Sequence, residues 1–185
     1  MEIVLASASP RRKELLGLIA DRFTVRVSDA EEILPEGIDL FSAPEFLAEI
    51  KAAAVREKCP NDLVIGADTA VFYGERMLGK PRDEKEARDM LTVLSGKTHR
   101  VITGCALFYK DRKKTFSVST EVEFYPLSEE DIEWYIATNE WADKAGAYGI
   151  QGKGSALVKG IKGDYFSVVG LPAAELKRKI EEITL

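Results

Sequence analysis

Phe116-Ser117-Val118-Ser119-Thr120-Glu121-Val122-Glu123-Phe124 alternates large or β-branched side chains with small or acidic ones. A period of two over nine residues is the mark of a strand with one buried and one solvated face. The apolar run His99 to Tyr109 precedes it, across the polar turn Lys110 to Lys114, and is its expected hairpin partner. Working outward, Ile3 to Ala6 reads as a buried strand and Pro10 to Leu18 as a helix. Phe23 to Val27 reads as a second short strand, followed by an acid-rich loop from Asp29 to Asp39. Ser42 and Glu45 have capping-box spacing and open a helix to about Lys58, which Pro60 ends. Leu63 to Ala67 is an apolar run that presents Asp68 and Thr69 at the end of a strand. Asp83 to Leu94 is a helix that Gly96 stops, and Ser128 caps another that runs to Thr138. Ala156 to Ile161 and Tyr165 to Val168 read as short strands around Lys162-Gly163-Asp164, before Pro172 opens a terminal helix. This order predicts an α/β fold, layered on a long mixed sheet that is partly antiparallel.

The 185 residues suit one domain or two closely joined lobes. With 45% hydrophobic and 31% charged residues, a packed globule is expected rather than disorder. There is no linker, low-complexity tract or internal repeat. The 26 Lys+Arg stand against 31 Asp+Glu, a net charge of −5. Nucleic-acid binders normally show a basic balance, so binding to a long polyanion is not expected. Two cysteines, Cys59 and Cys105, cannot build a disulfide framework, and with one histidine they exclude the common zinc sites. Any metal should be a hard ion held by carboxylate and phosphate oxygens. No signal peptide or membrane-spanning run is visible, which makes the cytoplasm the expected compartment.

Three segments carry chemistry beyond the fold. In Ser7-Ala8-Ser9-Pro10-Arg11-Arg12-Lys13, Ser9 is a good N-cap and Pro10 a good first helical residue. Three cations in a first turn oppose the helix dipole unless an anion is supplied. Free N–H groups, serine hydroxyls and arginines together make a phosphate site, a reading the local pattern favours over a solvated basic turn. Asp68, at the end of its apolar run, can take a proton from water, hold a metal, or merely cap a turn. Asp143-Lys144-Ala145-Gly146-Ala147-Tyr148-Gly149-Ile150-Gln151-Gly152 is glycine-rich yet apolar between its glycines. Gln151 offers an amide donor and acceptor to a base edge; Tyr148 reads equally as core or as a stacking platform. Lys51, among alanines, reaches a partner or covers apolar surface with its stem, and Lys80, in Gly79-Lys80-Pro81, reaches a phosphate or is an exposed charge. Ser95-Gly96-Lys97-Thr98 resembles the tail of a P-loop. Its leading glycine position is Leu91 and its helix-then-strand order is reversed, so it is rejected. His99 reads as structural.

Taken in order, these segments resemble the Maf family of nucleoside triphosphate pyrophosphatases. The resemblance is carried by Ser7 to Arg12, Ile65-Gly66-Ala67-Asp68-Thr69, Gly79-Lys80-Pro81, Leu94 to Val101, Asp143 to Gly152 and Val169-Gly170-Leu171-Pro172. It implies hydrolysis of a nucleoside triphosphate between its α and β phosphates with a divalent cation, typically Mg²⁺. It also implies an elongated α/β fold like that of the inosine triphosphate pyrophosphatases, one Maf-like domain over 1–185 with two lobes around a central cleft. Such proteins are often dimeric, so a homodimer is an expected assembly. By resemblance, the catalytic aspartate falls on Asp68 and the specificity positions on Arg11, Thr69 and Gln151. Phosphate or metal positions fall on Ser9, Arg12, Glu32, Lys51, Lys80, Asp143 and Lys144. The acidic loop offers Glu31 or Glu32, and register favours Glu32, which with Asp68 would hold the metal. The late loop resembles the branch acting on dTTP and UTP, with modified pyrimidine nucleotides as a further class. A non-catalytic nucleotide sensor acting on cell division through a protein partner is the rival reading.

Overall fold

The computed structural model describes residues 1–185. The chain runs β1 (Ile3–Leu5), α1 (Pro10–Gly17), β2 (Thr24–Val25), α2 (Ala43–Arg56), β3 (Leu63–Tyr73), β4 (Arg76–Leu78) and α3 (Glu84–Leu94). It continues with β5 (Thr98–Tyr109), β6 (Arg112–Phe124), α4 (Glu129–Ile136), β7 (Val158–Lys162), α5 (Tyr165–Val169) and α6 (Ala173–Thr184). The strands form one mixed sheet in the order β2-β1-β3-β5-β6-β7, with β4 pairing β3. Strand β1 is parallel to β2 and β3, whereas β3–β4 and β6–β7 are antiparallel. The β5–β6 hairpin expected from the period-two run is present, closed by Lys110 and Asp111, with Lys110 at a φ of 53°. No helix is long and apolar enough to cross a membrane.

Two compact units divide the chain. The first comprises 1–69, 103–118 and 170–185; the second comprises 70–102 and 119–169. In the first, α2 lies directly on the sheet. Ala48, Ala52, Val55 and Cys59 pack with Val4, Ala6, Val64, Ala106 and Phe108. Two glycines permit this approach. A Cβ on Gly66 would come within 2.3 Å of the Ala48 carbonyl oxygen, and one on Gly104 within 2.2 Å of the Glu45 nitrogen. Val64, Gly66 and Asp68 share one face of β3 because strand side chains alternate. The face that buries Val64 against α2 therefore also turns Asp68 toward that helix.

The second unit is built around α3 and α4. Ala87, Met90, Leu91 and Leu94 pack with Ile132, Tyr135, Ile136 and Trp141. Asp83 caps α3 by accepting from the Glu86 N–H at 2.8 Å, and Ser128 with Asp131 forms a capping box on α4. Gly96, past the end of α3, adopts a φ of 64°, as its expected role as a stop requires. His99 is buried against Phe124 and Tyr148 in edge-on ring contacts. Its Nε2 meets the Tyr148 hydroxyl at 2.7 Å while its Nδ1 has no partner. Burial pushes its pKa from 6.5 to about 4, so the imidazole is neutral. Its structural reading holds.

Three expectations are corrected. Strand β3 does not stop before Asp68 but continues to Tyr73, because Ala70, Val71 and Phe72 are buried and β4 pairs with Val71–Tyr73. Tyr165 to Val168 is helical rather than extended. Asp164 accepts from the Ser167 N–H at 2.8 Å and starts α5, after Gly163 has turned the chain at a φ of 134°. Ser42 and Glu45 do not form a capping box. The turn Leu40–Ser42, capped by Asp39, feeds into α2, so Ser42 is already helical. Glu45 instead accepts from the Ser117 hydroxyl at 2.7 Å.

Two measurements test this packing. Gly104→Ala should destabilise the fold by roughly 1–3 kcal/mol, since only a backbone shift of α2 makes room. An unchanged unfolding midpoint in urea would show that α2 does not bear on Gly104. His99 has a folded pKa below its unfolded one, so its contribution is complete above pH 6.5 and is lost as pH falls to about 4. Between pH 7 and pH 5 the wild-type chain should lose roughly 2 kcal/mol more than a His99→Gln variant. Proton NMR of the single imidazole should show no titration above pH 5; a midpoint near 6.5 would contradict its burial.

Candidate active site

The first unit brings most of the expected residues into two linked groups. In the first group, Lys51 of α2 sits between two carboxylates. Its Nζ lies 2.6 Å from Asp68 Oδ1 and 2.9 Å from Glu32 Oε2. The Lys51 and Asp68 side chains are 13% and 16% exposed, whereas Glu32 is half exposed. The pair is thus sheltered on the strand side and open on the loop side. The geometry follows from the packing of α2. Ala48 and Ala52 sit on the sheet over Gly66, and Lys51, three residues from Ala48, meets Asp68 two residues along β3.

The second group lies where Thr69 turns away from Asp68. Arg12 donates from Nη2 to Thr69 Oγ1 at 3.2 Å and from Nε to the Gly170 carbonyl at 3.0 Å. Its Nη1 donates to Ser7 Oγ at 3.4 Å. Thr69 Oγ1 also lies 2.8 Å from Thr103 Oγ1. Ser9 caps α1 as expected, accepting from the Arg12 N–H, while its own N–H donates to Ser7 Oγ at 3.2 Å. Burial lowers the Arg12 pKa from its ordinary value while Asp68 pulls it back up. An arginine nevertheless stays protonated. Arg11, in the same turn, is half-buried. The unfavourable cations at the start of α1 are therefore explained in part by partners inside the protein. Arg12 is tied to the Gly170 carbonyl and to hydroxyls, and Asp68 opposes its charge.

Lys80, Lys144 and Gln151 belong to the second unit. Lys80 is exposed, next to Gly79, whose carbonyl accepts from the Gly146 N–H at 3.0 Å. Lys144 donates to the Glu140 carbonyl and to Asp143 Oδ1 at 2.7 Å. Its methylene stem crosses Gly149, where a Cβ would lie 2.7 Å from Lys144 Cε. The glycine loop is thus shaped in part to let this lysine lie flat. Tyr148 is core, 5% exposed, and the Gly149 N–H donates to the Tyr135 hydroxyl at 3.2 Å. Gln151 is half-buried and precedes the turn Gly152–Leu157. Glu31, the other carboxylate of the acidic loop, is exposed, and Lys51 selects Glu32 over it.

One residue escaped the reading of the sequence. Thr103, like Ser7 of the first segment, is a buried hydroxyl, and the two contact Thr69 and Arg12. Thr103 looks like an ordinary β-branched strand residue within Val101 to Phe108, and only its neighbour across the sheet reveals a polar role. No cluster of three or more His, Cys, Asp or Glu side chains gathers anywhere in the chain. Asp68 and Glu32 are therefore a two-carboxylate site. Both converge on one cationic group and are hard oxygen donors. That suits a Mg²⁺ that takes its other ligands from phosphate and water.

The fold is similar to a HAM1 protein from Coxiella burnetii, with a TM-score of 0.52 at 15% identity over 98% of this chain and 99% of that one. It is also similar to the Staphylococcus aureus Ham1 protein, with a TM-score of 0.51 at 18% identity over 68% and 73% of the two chains. In sequence, the chain is 50% identical to a dTTP/UTP pyrophosphatase of Bacillus cereus strain B4264, over 100% of this chain and 96% of the relative. It is 52% identical to a protein of the same name from Bacillus mycoides, over 98% and 95%. The family model described as Maf-like protein matches residues 2–183, and the chain belongs to that family.

Proposed function

We propose that this chain hydrolyses dTTP and UTP, and modified pyrimidine nucleotides of the same kind, to the monophosphate and pyrophosphate. The observation that carries the reading is the full-length identity of 50% to a dTTP/UTP pyrophosphatase. The convergence of Lys51, Glu32 and Asp68 supplies matching chemistry. Residues 1–185 act as one Maf-like domain in this reading. A homodimer and a cytoplasmic setting are the accompanying expectations.

Water attacks the α-phosphorus in line with the departing pyrophosphate. Asp68 accepts the proton of that water, as a general base. Lys51, hydrogen-bonded to Asp68 at 2.6 Å, holds the carboxylate in one orientation. Arg11, Lys51, Lys80 and Lys144 are the cations that bind the triphosphate and stabilise charge on the leaving group. Ser9 adds its hydroxyl, and the first turn of α1 adds free N–H groups. Arg12 contributes to this field while its hydrogen bonds to Gly170 and Thr69 keep the turn in place. Thr69 and Gln151 read the base. Asp68 and Glu32 would hold Mg²⁺, with Asp143 as a further acidic residue near the phosphates. A bound divalent ion supplies charge neutralisation of phosphate oxygens and lowers the pKa of coordinated water.

The test is pyrophosphate release from each nucleoside triphosphate with Mg²⁺, using wild type and Asp68→Asn. Wild type should turn over dTTP and UTP ahead of the purine nucleotides. Asp68→Asn should lose roughly 10²–10⁴-fold in kcat, with an unfolding midpoint close to wild type. Near-normal turnover by the variant would reject Asp68 as the base. No release from any nucleotide by wild type would favour the non-catalytic sensor.

A further inference from the structure

Glu140 follows α4 in the chain and meets the far side of the glycine loop. Asn139 turns the chain out of the helix at a φ of 57°, a left-handed conformation that asparagine tolerates at a helix end. Bonds of definite direction then tie the turn down. The Thr138 hydroxyl donates to the Tyr135 carbonyl at 2.7 Å, and the Glu140 N–H donates to Thr138 Oγ1 at 3.1 Å. The Glu140 carboxylate accepts from the Lys153 N–H at 3.0 Å. It also lies against Gly152, where a Cβ would come within 2.8 Å of Oε2 and 3.1 Å of Oε1. Gly152 adopts a φ of 66°, so its backbone and its neighbour both call for glycine.

The loop is held two residues before Gln151 as well as two residues after it. The Gly149 N–H donates to the Tyr135 hydroxyl at 3.2 Å, and Tyr135 is fully buried on α4. Gly149 and Gly154 approach so closely that a Cβ on Gly154 would lie 2.1 Å from the Gly149 carbonyl oxygen. Gln151 therefore stands midway along a closed loop, with Tyr135 holding one limb and Glu140 the other. We propose that Glu140 is a positioning residue: by holding Lys153 and lying against Gly152, it sets where Gln151 offers its amide to the base of the nucleotide. The inference rests on the reading of Gln151 as a base contact and deepens it. An amide gives directional hydrogen bonds that weaken steeply when their angle is lost, so a shift of the backbone beside Gln151 is felt at the base. Lys144 bonds the backbone carbonyl of Glu140, which a side-chain substitution leaves in place. The carboxylate is thus separable from the anchor of that lysine.

The experiment compares wild type with Glu140→Ala, which removes the carboxylate, and with Glu140→Gln, which keeps an acceptor oxygen without the charge. Calorimetry with Mg²⁺ measures binding of α,β-imido-dUTP, which carries a base, and of inorganic tripolyphosphate, which does not. Glu140→Ala should weaken binding of the nucleotide roughly tenfold, the size of one lost hydrogen bond, and that of tripolyphosphate by less than about twofold. Glu140→Gln should return the nucleotide to within about threefold of wild type. With dTTP as substrate, Glu140→Ala should raise KM and leave kcat nearly unchanged, as loss of a contact equal in ground and transition states does. Gln151→Ala should weaken nucleotide binding by itself, and adding Glu140→Ala to it should weaken it no further. Equal losses on both ligands, no loss on either, failure of Glu140→Gln to rescue, or a Glu140 effect that persists without the Gln151 amide would each overturn the proposal. Unfolding midpoints identify a variant that folds poorly. Should Glu140→Ala do so, Glu140→Asp, whose shorter side chain draws the acceptor back from Lys153, carries the same comparison. Wild type that binds the nucleotide yet releases no pyrophosphate refutes the hydrolase reading, whereas nucleotide binding indifferent to Glu140 refutes this one.

Discussion

The closeness of α2 to the sheet is the constraint on which the rest depends. Where Gly66 and Gly104 lie, there is no room for even a methyl group between strand and helix backbone. Small side chains at Ala48 and Ala52 let the helix lie directly against the strands. There Lys51 on the helix meets Asp68 on the strand in a direct hydrogen bond of 2.6 Å. The glycines and alanines are thus the frame of the ion pair.

Strand alternation then divides the labour. Asp68 faces α2 and enters the charged group; its neighbour Thr69 faces the other way and enters the group of hydroxyls. Two consecutive residues thus enter different polar groups without competing for space. The continuation of β3 to Tyr73 gives both a rigid support, which a loop at the end of a strand would not.

Much of this was legible in the residues. The hairpin declared itself through alternation, and two of the helices through caps that behave as their sequences say, at Ser9 and Ser128. The Maf resemblance pointed to Asp68, Lys51 and Glu32, which the fold brings together. What was missed depended on distant partners. Asp68 reads as the end of a strand because polar residues interrupt the apolar run, yet β4 returns to pair with Val71–Tyr73 and keeps the chain extended. Tyr165 to Val168 has strand-like composition, but Asp164 caps it into a helix. Thr103 carries no local sign of its role, because a buried threonine in a strand is ordinary until the residue across the ladder is known.

The placement of Lys51 has a consequence for how the site fills. Two carboxylates drawn to one point repel each other, and the folded chain has already answered that repulsion with an ammonium group of its own. Any divalent ion that Asp68 and Glu32 would hold must therefore share their oxygens with Lys51 rather than enter an uncompensated negative site. Until a ligand arrives, the folded chain keeps both acids paired with a cation of its own.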